Sequence, residues 1–177
     1  MQKLSKPNDL IEAMNIYGPM KIADFGAGAG FLALLAAEKI SDSGKVFALD
    51  IQEEPLEALR REARERNLHN IETIRADLEQ KNGSHLKEAS VDRVLVANIL
   101  FQSENKRALF SEAFRVLKKN GTLTIVEWNP DAPHRLGPRH ENRISKKLLL
   151  ELLGNAGFEL VREISLGEHF HGIVAKK

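Results

Sequence analysis

The sequence contains no cysteine among its 177 residues. This absence excludes disulfide bonds, thiolate nucleophiles, cysteine-ligated zinc and iron–sulfur clusters. Long apolar runs are missing as well, since the longest stretch without a charged residue is residues 25–37. A membrane-spanning helix needs about 18 apolar residues, so no membrane span is predicted. Residues 1–7 lack the apolar core of a signal peptide, and we therefore expect a cytoplasmic protein.

Neither sign of charge is in excess. The sequence has 26 lysines and arginines against 25 aspartates and glutamates, which gives a formal net charge of +1. Such a balance provides no electrostatic footprint for bulk binding of nucleic acid, although a local basic patch stays possible. Hydrophobic residues make up 42% of the chain and charged residues 29%, as in ordinary globular proteins. At about 150 residues per domain, we expect residues 1–177 to form a single domain.

Short apolar runs alternate with segments of helical periodicity. Parallel strands that are buried on both faces have such nearly continuous apolar sequences. The predicted strands are Lys21–Phe25 and residues 45–51, 71–77, 91–98 and 121–128. The predicted helices are residues 31–40, a helix with Pro55 at its first position, a helix that is capped by Ser103 and ends before Asn120, and a helix capped by Ser145.

The end of the sequence breaks this alternation. Residues 158–165 and 169–176 have the pattern of two strands with no helix between them, which predicts an antiparallel hairpin. The predicted fold class is therefore α/β. We expect a doubly wound, three-layer α/β/α sandwich whose seven-stranded sheet is mostly parallel and carries an antiparallel C-terminal hairpin.

A glycine-rich segment follows the first predicted strand and opens the first long helix. Asp24, Gly26, Gly28 and Gly30 form an acid-x-G-x-G-x-G pattern, and Asp50 closes the next strand. Glycines allow a tight turn and the close approach of a ligand, and free N–H groups at a helix start favour a polar or anionic group. The carboxylate of Asp50 can accept hydrogen bonds from both hydroxyls of a ribose, or it can cap the following helix.

The glycine spacing distinguishes between nucleotide ligands. A dinucleotide fingerprint is G-x-G-x-x-G, whereas here Phe31 stands where its third glycine would be. The observed pattern resembles the first motif of the class I S-adenosylmethionine-dependent methyltransferases, and Asp50 matches that family's ribose-binding acid. Residues 75–78, 91–98 and 114–123 resemble later motifs of the family in the same order. The chain is similar to small, single-domain members of the ubiquinone-biosynthesis-like type.

The resemblance implies S-adenosylmethionine as the cofactor and assigns residues to its parts. The glycine loop and Asp24 would hold the amino and carboxylate ends, Asp50 the ribose, and Asp77 the adenine. The predicted cofactor site comprises Asp24, Gly26, Ala27, Gly28, Gly30, Asp50, Ile51, Ala76, Asp77, Leu78, Asn98 and Ile99. Asp77 can instead be a polar strand terminus. Asn98 can face the methionine moiety or satisfy loop backbone.

The sulfonium of this cofactor is already activated, so methyl transfer is an in-line displacement that mainly requires alignment in a dry pocket. A general base is needed only where the acceptor must lose a proton. The catalytic residue is therefore unknown, and the candidates are Glu127, Arg139 and His140. Glu127 can orient the acceptor, take its proton or pair with an arginine.

Residues 133–143 form a loop that is rich in arginine and histidine. Its three arginines can hold a carboxylate or phosphate of the substrate, or they can be solvated. The histidines of this loop, together with His169 and His171, offer imidazole ligands. No helical histidine pair and no carboxylate partner accompany them, so no metal is expected.

The acceptor is expected to be a small molecule, because no large recognition domain is visible. A protein or RNA acceptor and a non-catalytic module that retains cofactor binding are the alternatives. The glycine spacing disfavours a nicotinamide-linked oxidoreductase. Residues 1–20 are predicted to form a helical lid over the cofactor cleft, with Tyr17 against cofactor or acceptor. A monomer and a homodimer are both compatible with the sequence.

Overall fold

A seven-stranded sheet forms the centre of the computed structural model, which describes residues 7–132 and 137–177. The strands are β1 (Lys21–Phe25), β2 (Lys45–Asp50), β3 (Ile71–Arg75), β4 (Val91–Ala97), β5 (Leu117–Trp128), β6 (Glu159–Ser165) and β7 (Phe170–Lys176). Their order in the sheet is β3-β2-β1-β4-β5-β7-β6. The first five strands pair in parallel, and β7 runs antiparallel to both β5 and β6. The predicted fold class and the C-terminal hairpin are confirmed.

Helices cover both faces of the sheet. They are α1 (Pro7–Ala13), α2 (Phe31–Lys39), α3 (Glu53–Glu65), α4 (Lys106–Val116) and α5 (Lys146–Asn155), with a 3-10 turn over His140–Asn142. Successive residues of a strand point to opposite faces. Accordingly, Ala23 packs in one apolar cluster with residues of α4 and α5, and Ile22 packs in a second cluster with residues of α1 and α2.

Polar side chains cap the N-termini of α4 and α5. The Ser145 hydroxyl accepts a hydrogen bond from the Leu148 N–H at 3.2 Å, as predicted for α5. At α4 the cap is Asn105, whose side-chain oxygen accepts from the Ala108 N–H at 3.1 Å. The predicted cap by Ser103 is wrong, because α4 begins two residues later than the apolar periodicity indicates.

Two other helix boundaries differ from the sequence prediction. Helix α3 begins at Glu53, so that Pro55 occupies its third position instead of its first. This position suits proline equally well, because the first four N–H groups of a helix have no partner within the helix. Helix α4 ends at Val116, and Leu117 already pairs with Val91 of β4. Tertiary pairing with β4 therefore overrides the local helical pattern.

The helix α1 packs against α2 through Leu10, which is fully buried. Arg162 of β6 donates to the carbonyl of Ala13, the last residue of α1, and Arg93 of β4 donates to the carbonyl of Met14, which follows it. Tyr17 is 60% exposed and follows α1 at the edge where the strands begin. It therefore lies away from the glycine loop, and its predicted contact with cofactor or acceptor stays a prediction. The lid function of this segment stays a prediction, and residues 1–6 lie outside the described part of the chain.

Within the described ranges, no helix has the length and apolarity that crossing a membrane requires.

Candidate active site

The glycine loop between β1 and α2 is held on the end of β2. The N–H groups of Gly26 and Ala27 both donate to the carbonyl of Leu49, at 2.8 and 2.9 Å. The N–H of Gly30 then closes the turn on the carbonyl of Ala27 at 2.9 Å. These bonds bring the loop beside the residue that follows Leu49 in β2, which is Asp50.

The carboxylate of Asp50 is held by backbone N–H groups on both of its oxygens. Gly28 donates to Oδ2 at 2.8 Å, and Gln52 donates to Oδ1 at 2.9 Å. Since a carboxylate oxygen can accept two hydrogen bonds, each oxygen keeps one position for a ligand. A Cβ at Gly28 would meet no described atom within 4 Å, so open space, called the crevice below, adjoins the loop at this glycine. The sequence also allowed Asp50 to cap helix α3, and in the structure its only bond of this kind is the one from the Gln52 N–H, just before the helix.

Asp24, at the carboxyl end of β1, is a buried acid near Asp50. It is only 3% exposed. Burial, and secondly the charge of Asp50, raise the pKa of Asp24 to about 7, while the N–H of Ala33 lowers it. A cationic group bound beside Asp24 would stabilise the carboxylate form. The pair is therefore suited to a ligand that carries a positive charge next to hydroxyl groups.

The raised pKa of Asp24 predicts a pH dependence of stability. An acid whose native pKa lies above its ordinary value of 3.8 binds more protons in the folded than in the unfolded chain between these values. Its contribution to stability is thus greatest below about pH 4 and is lost as the pH rises towards 7. We expect Asp24→Asn to flatten the fall in the free energy of unfolding between about pH 4 and 7, measured by urea denaturation. An unchanged slope would contradict the raised pKa.

The end of β3 lies next to the end of β2. The N–H of Ala76 donates to the backbone carbonyl of Asp50 at 2.9 Å, which brings the following residues to the crevice. Asp77 is half-buried, and its carboxylate accepts from the N–H of Glu79 at 3.0 Å. Ile51 is 56% exposed at the same edge. An exposed large apolar side chain beside a carboxylate is suited to a flat ring that has polar edges.

The connection between β4 and α4 borders the glycine loop. Asn98 has a positive φ of 56°, and its side-chain oxygen is buried with no hydrogen-bond partner among the described residues. The side chain of Ile99 packs on Gly26 so closely that a Cβ there would lie 2.4 Å from Ile99 Cγ2. The predicted site residues of β1, β2, β3 and β4 therefore meet around one crevice.

Glu127 is the penultimate residue of β5; it lies next to this connection and is only 1% exposed. Its Oε1 accepts hydrogen bonds from the N–H groups of Ile99 and Leu100, at 3.0 and 2.8 Å. Burial raises the pKa of Glu127 to about 7, although these hydrogen bonds lower it. The hydrogen bonds that it accepts come from the backbone, so the ion pair with an arginine that the sequence allowed is not the arrangement observed.

The other two catalytic candidates, Arg139 and His140, lie in the loop after β5. Arg139 is exposed, with Glu141 at 3.9 Å, and His140 Nε2 lies 3.0 Å from the Ala132 carbonyl. Arg143 is buried and donates to backbone carbonyls of the loop, including that of Asn129 at 2.9 Å. The prediction that this arginine holds a substrate anion is wrong, because its guanidinium closes the loop on itself.

Other predicted features of the loop lie in residues 133–136, outside the described residues. His169 and His171 of the hairpin do not form part of a metal site: within the described chain, no group of three histidine or acidic side chains could hold a metal ion. Sequence reasoning missed the structural role of Arg143 and the hydrogen bonds made by Glu79. No periodicity or spacing signals either one: Glu79 accepts from the N–H groups of Glu104 and Asn105, 25 and 26 residues away, and the partners of Arg143 depend on the path of its own loop.

The fold and the crevice together define a class of protein. A glycine turn after β1, an acid that ends β2 and a reversed β7 are the arrangement of S-adenosylmethionine-dependent methyltransferases. The residues fit this cofactor: Asp50 has free acceptor positions for hydroxyl groups, Asp24 offers a buried acid, and the space at Gly28 is open.

Comparisons with known proteins identify the family. Residues 18–171 match the family model of a methyltransferase domain, and the chain belongs to that family. A solved structure of an S-adenosylmethionine-dependent methyltransferase from Aquifex aeolicus is similar, with a TM-score of 0.88 at 24% identity. The similarity covers 98% of this chain and 90% of that one. The predicted class I methyltransferase family and its cofactor, S-adenosylmethionine, are confirmed.

Curated relatives are longer than this chain. The arsenite methyltransferase of Halobacterium salinarum is 27% identical over 114 residues, which are 63% of this chain and 28% of the relative. The sterol 24-C-methyltransferase erg6 of Aspergillus fumigatus is 27% identical over 174 residues, which are 90% of this chain and 45% of the relative. The chain thus spans less than half the length of these two proteins.

Proposed function

We propose that this chain transfers the methyl group of S-adenosylmethionine to a small-molecule acceptor. The observation that carries the proposal is the Asp50 carboxylate, which is bonded to the Gly28 N–H beside an open crevice. The names of the two curated relatives, an arsenite and a sterol methyltransferase, support a small acceptor. The cofactor, when bound, supplies a methyl group on a positively charged sulfur that leaves as a neutral thioether.

In this proposal the chain binds the donor by its polar groups. Asp50 accepts the ribose hydroxyls at the free positions of its two oxygens. Asp24 and the backbone of the glycine loop hold the amino and carboxylate ends. Asp77, Ile51 and the buried Leu78 line the adenine side, with Ala76 joining them to β2. These roles are supported by the convergence of four strand ends on one crevice.

The acceptor side is proposed to lie beyond Ile99, towards the end of β5 and the loop that follows it. Trp128 is 8% exposed and packs against Phe170 with ring centroids 4.6 Å apart, so this side has an apolar floor. An apolar surface excludes water from the nucleophile of the acceptor and helps to hold the acceptor in line with the methyl group. Cytoplasmic location, a single domain and a monomer or homodimer stay predictions.

Calorimetry and a transfer assay test this function. We expect the purified chain to bind S-adenosylmethionine and S-adenosylhomocysteine and to show no response to nicotinamide dinucleotides. Incubation with methyl-labelled S-adenosylmethionine should then label an acceptor from pools of small metabolites. Label found only in peptides or RNA would contradict the small acceptor. Failure on all acceptor classes with intact cofactor binding would favour a non-catalytic module.

A further inference from the structure

The connection between β4 and α4, residues 98–105, is held at its first end by a carboxyl group from β5. Both bonds go to a single oxygen: Glu127 Oε1 accepts from the Ile99 and Leu100 N–H groups at 3.0 and 2.8 Å. Two backbone donors that follow a buried strand would otherwise lack partners, and an unpaired buried donor is costly. Glu127 therefore determines where this connection leaves the sheet.

A second carboxylate holds the other end of the same connection. Glu79 comes from the segment after β3, and it uses both of its oxygens. Its Oε1 accepts from the N–H of Glu104 at 3.1 Å, and its Oε2 accepts from the N–H of Asn105 at 2.7 Å. The N–H of Glu79 in turn donates to Asp77 at 3.0 Å. Glu79 thus joins the proposed adenine segment to the start of α4.

These two ends determine the position of Ile99, which forms one wall of the crevice. Its side chain packs directly on Gly26, where no Cβ would fit. A shift of residues 98–105 would move Ile99 relative to the glycine loop and change the width of the crevice. Through this connection the two carboxyl groups would act on a bound cofactor without touching it.

We propose that Glu127 and Glu79 are positioning residues for cofactor binding, and that Glu127 serves as a hydrogen-bond acceptor for the connection instead of as a general base. This inference rests on the proposed cofactor site. Glu127 is the residue at the end of β5 that the sequence offered for proton transfer, and its hydrogen bonds to Ile99 and Leu100 give the side chain a different task.

The two residues differ in a way that glutamine substitution detects. Glutamine offers one carbonyl oxygen in place of two carboxylate oxygens. Glu127→Gln can keep both hydrogen bonds, because Oε1 alone accepts them. Glu79→Gln can keep only one, because its two donors use different oxygens. Glutamine is therefore predicted to change cofactor affinity little at Glu127 and to lower it at Glu79.

Titration calorimetry with S-adenosylhomocysteine at pH 7 tests the inference. We expect Glu127→Gln to keep the Kd within about threefold of wild type and Glu127→Ala to raise it about tenfold or more, since a lost buried hydrogen bond is worth about one factor of ten. Glu79→Gln should raise the Kd by about three- to tenfold, and Glu79→Ala by at least as much. If Glu127 acted only as a general base for the acceptor, both Glu127 variants would bind S-adenosylhomocysteine with the Kd of wild type.

A third acid provides the control for general loss of stability. Asp92 of β4 accepts the Lys21 N–H at 2.8 Å and pairs with Lys118 at 2.8 Å. These groups lie where β1, β4 and β5 begin, at the edge of the sheet opposite the glycine loop. Asp92→Ala should therefore lower the melting temperature and leave the Kd within about twofold of wild type.

The outcomes separate this inference from the proposed function. Absence of binding by the wild type would overturn the proposed cofactor site and this inference with it. If the wild type binds, a folded Glu127→Ala with an unchanged Kd overturns the positioning role. An equal rise in Kd for Glu127→Gln and Glu127→Ala also overturns it, because the charge of Glu127 would then matter more than its ability to accept the two hydrogen bonds. Should Glu127→Ala fail to fold, the Glu79 variants decide: folded Glu79→Gln and Glu79→Ala that both keep the Kd of wild type overturn the positioning role.

Discussion

Replacing Asp50 by alanine should weaken binding of S-adenosylmethionine by about 1–3 kcal/mol, or about five- to 150-fold in Kd. The substitution removes the proposed bonds to the ribose hydroxyls. It also leaves the N–H groups of Gly28 and Gln52 without the partners that they have at 2.8 and 2.9 Å. The glycine loop then loses the side-chain hydrogen bond that links Gly28 to β2. Titration calorimetry at pH 7 measures the effect.

The matched control is Asp42→Ala, since Asp42 is an exposed acid in the turn between α2 and β2, at the opposite edge of the sheet. It changes the net charge by the same amount and should leave the Kd as in wild type. Equal affinities of the Asp50 variant and the wild type, with unchanged circular dichroism, would remove Asp50 from the site.

Alanine substitution should separate two glycines of the loop that look alike in sequence. Gly30 has a φ of +79°, and a Cβ there would lie 2.3 Å from Leu59 Cδ1 of α3. The left-handed backbone costs a residue with a side chain about 1–2 kcal/mol, and overpacking adds about 1–3 kcal/mol. We expect Gly30→Ala to lower the free energy of unfolding by about 2–5 kcal/mol, measured by urea denaturation.

Gly28→Ala provides the comparison. The φ of Gly28 is +54°, but its Cβ would meet no described atom within 4 Å. The loss of stability should therefore stay near the backbone cost of about 1–2 kcal/mol. The methyl group of Gly28→Ala would instead project into the open crevice. The free energy of cofactor binding should therefore fall by more than the free energy of unfolding. Equal stability losses in the two variants would show that Leu59 gives way and that the close packing does not matter.

The sequence predicted the sheet because its signals are local. Buried parallel strands need continuous apolar runs, and Asp24, the glycines and Asp50 stand at strand ends where a crevice is expected. The Ser145 cap was predicted correctly, since a serine hydroxyl meets the N–H of a residue three positions away. The Ser103 cap was wrong for a related reason: Asn105 competes for the same role within two residues, and contacts elsewhere in the fold decide between them.

The surroundings of the candidate catalytic groups could not be predicted in this way. The sequence allowed Glu127 to pair with an arginine and allowed Arg143 to hold a substrate anion. In the folded chain Glu127 accepts backbone N–H groups 27 and 28 residues away, and Arg143 donates to carbonyls of its own loop. Hydrogen-bond partners at such separations depend on strand order and on the path of each connection, which the sequence pattern does not encode locally.

The amino-acid sequence by itself determined the layered fold, the glycine turn and the acid that ends β2, because each follows from the spacing of residue types along one or two elements. The tertiary structure alone decided which acids are buried, which pKa values rise and which groups hold the wall formed by Ile99. Those properties arise where separate strands and connections meet, and burial there changes the energy of a charge far more than its neighbours in sequence do.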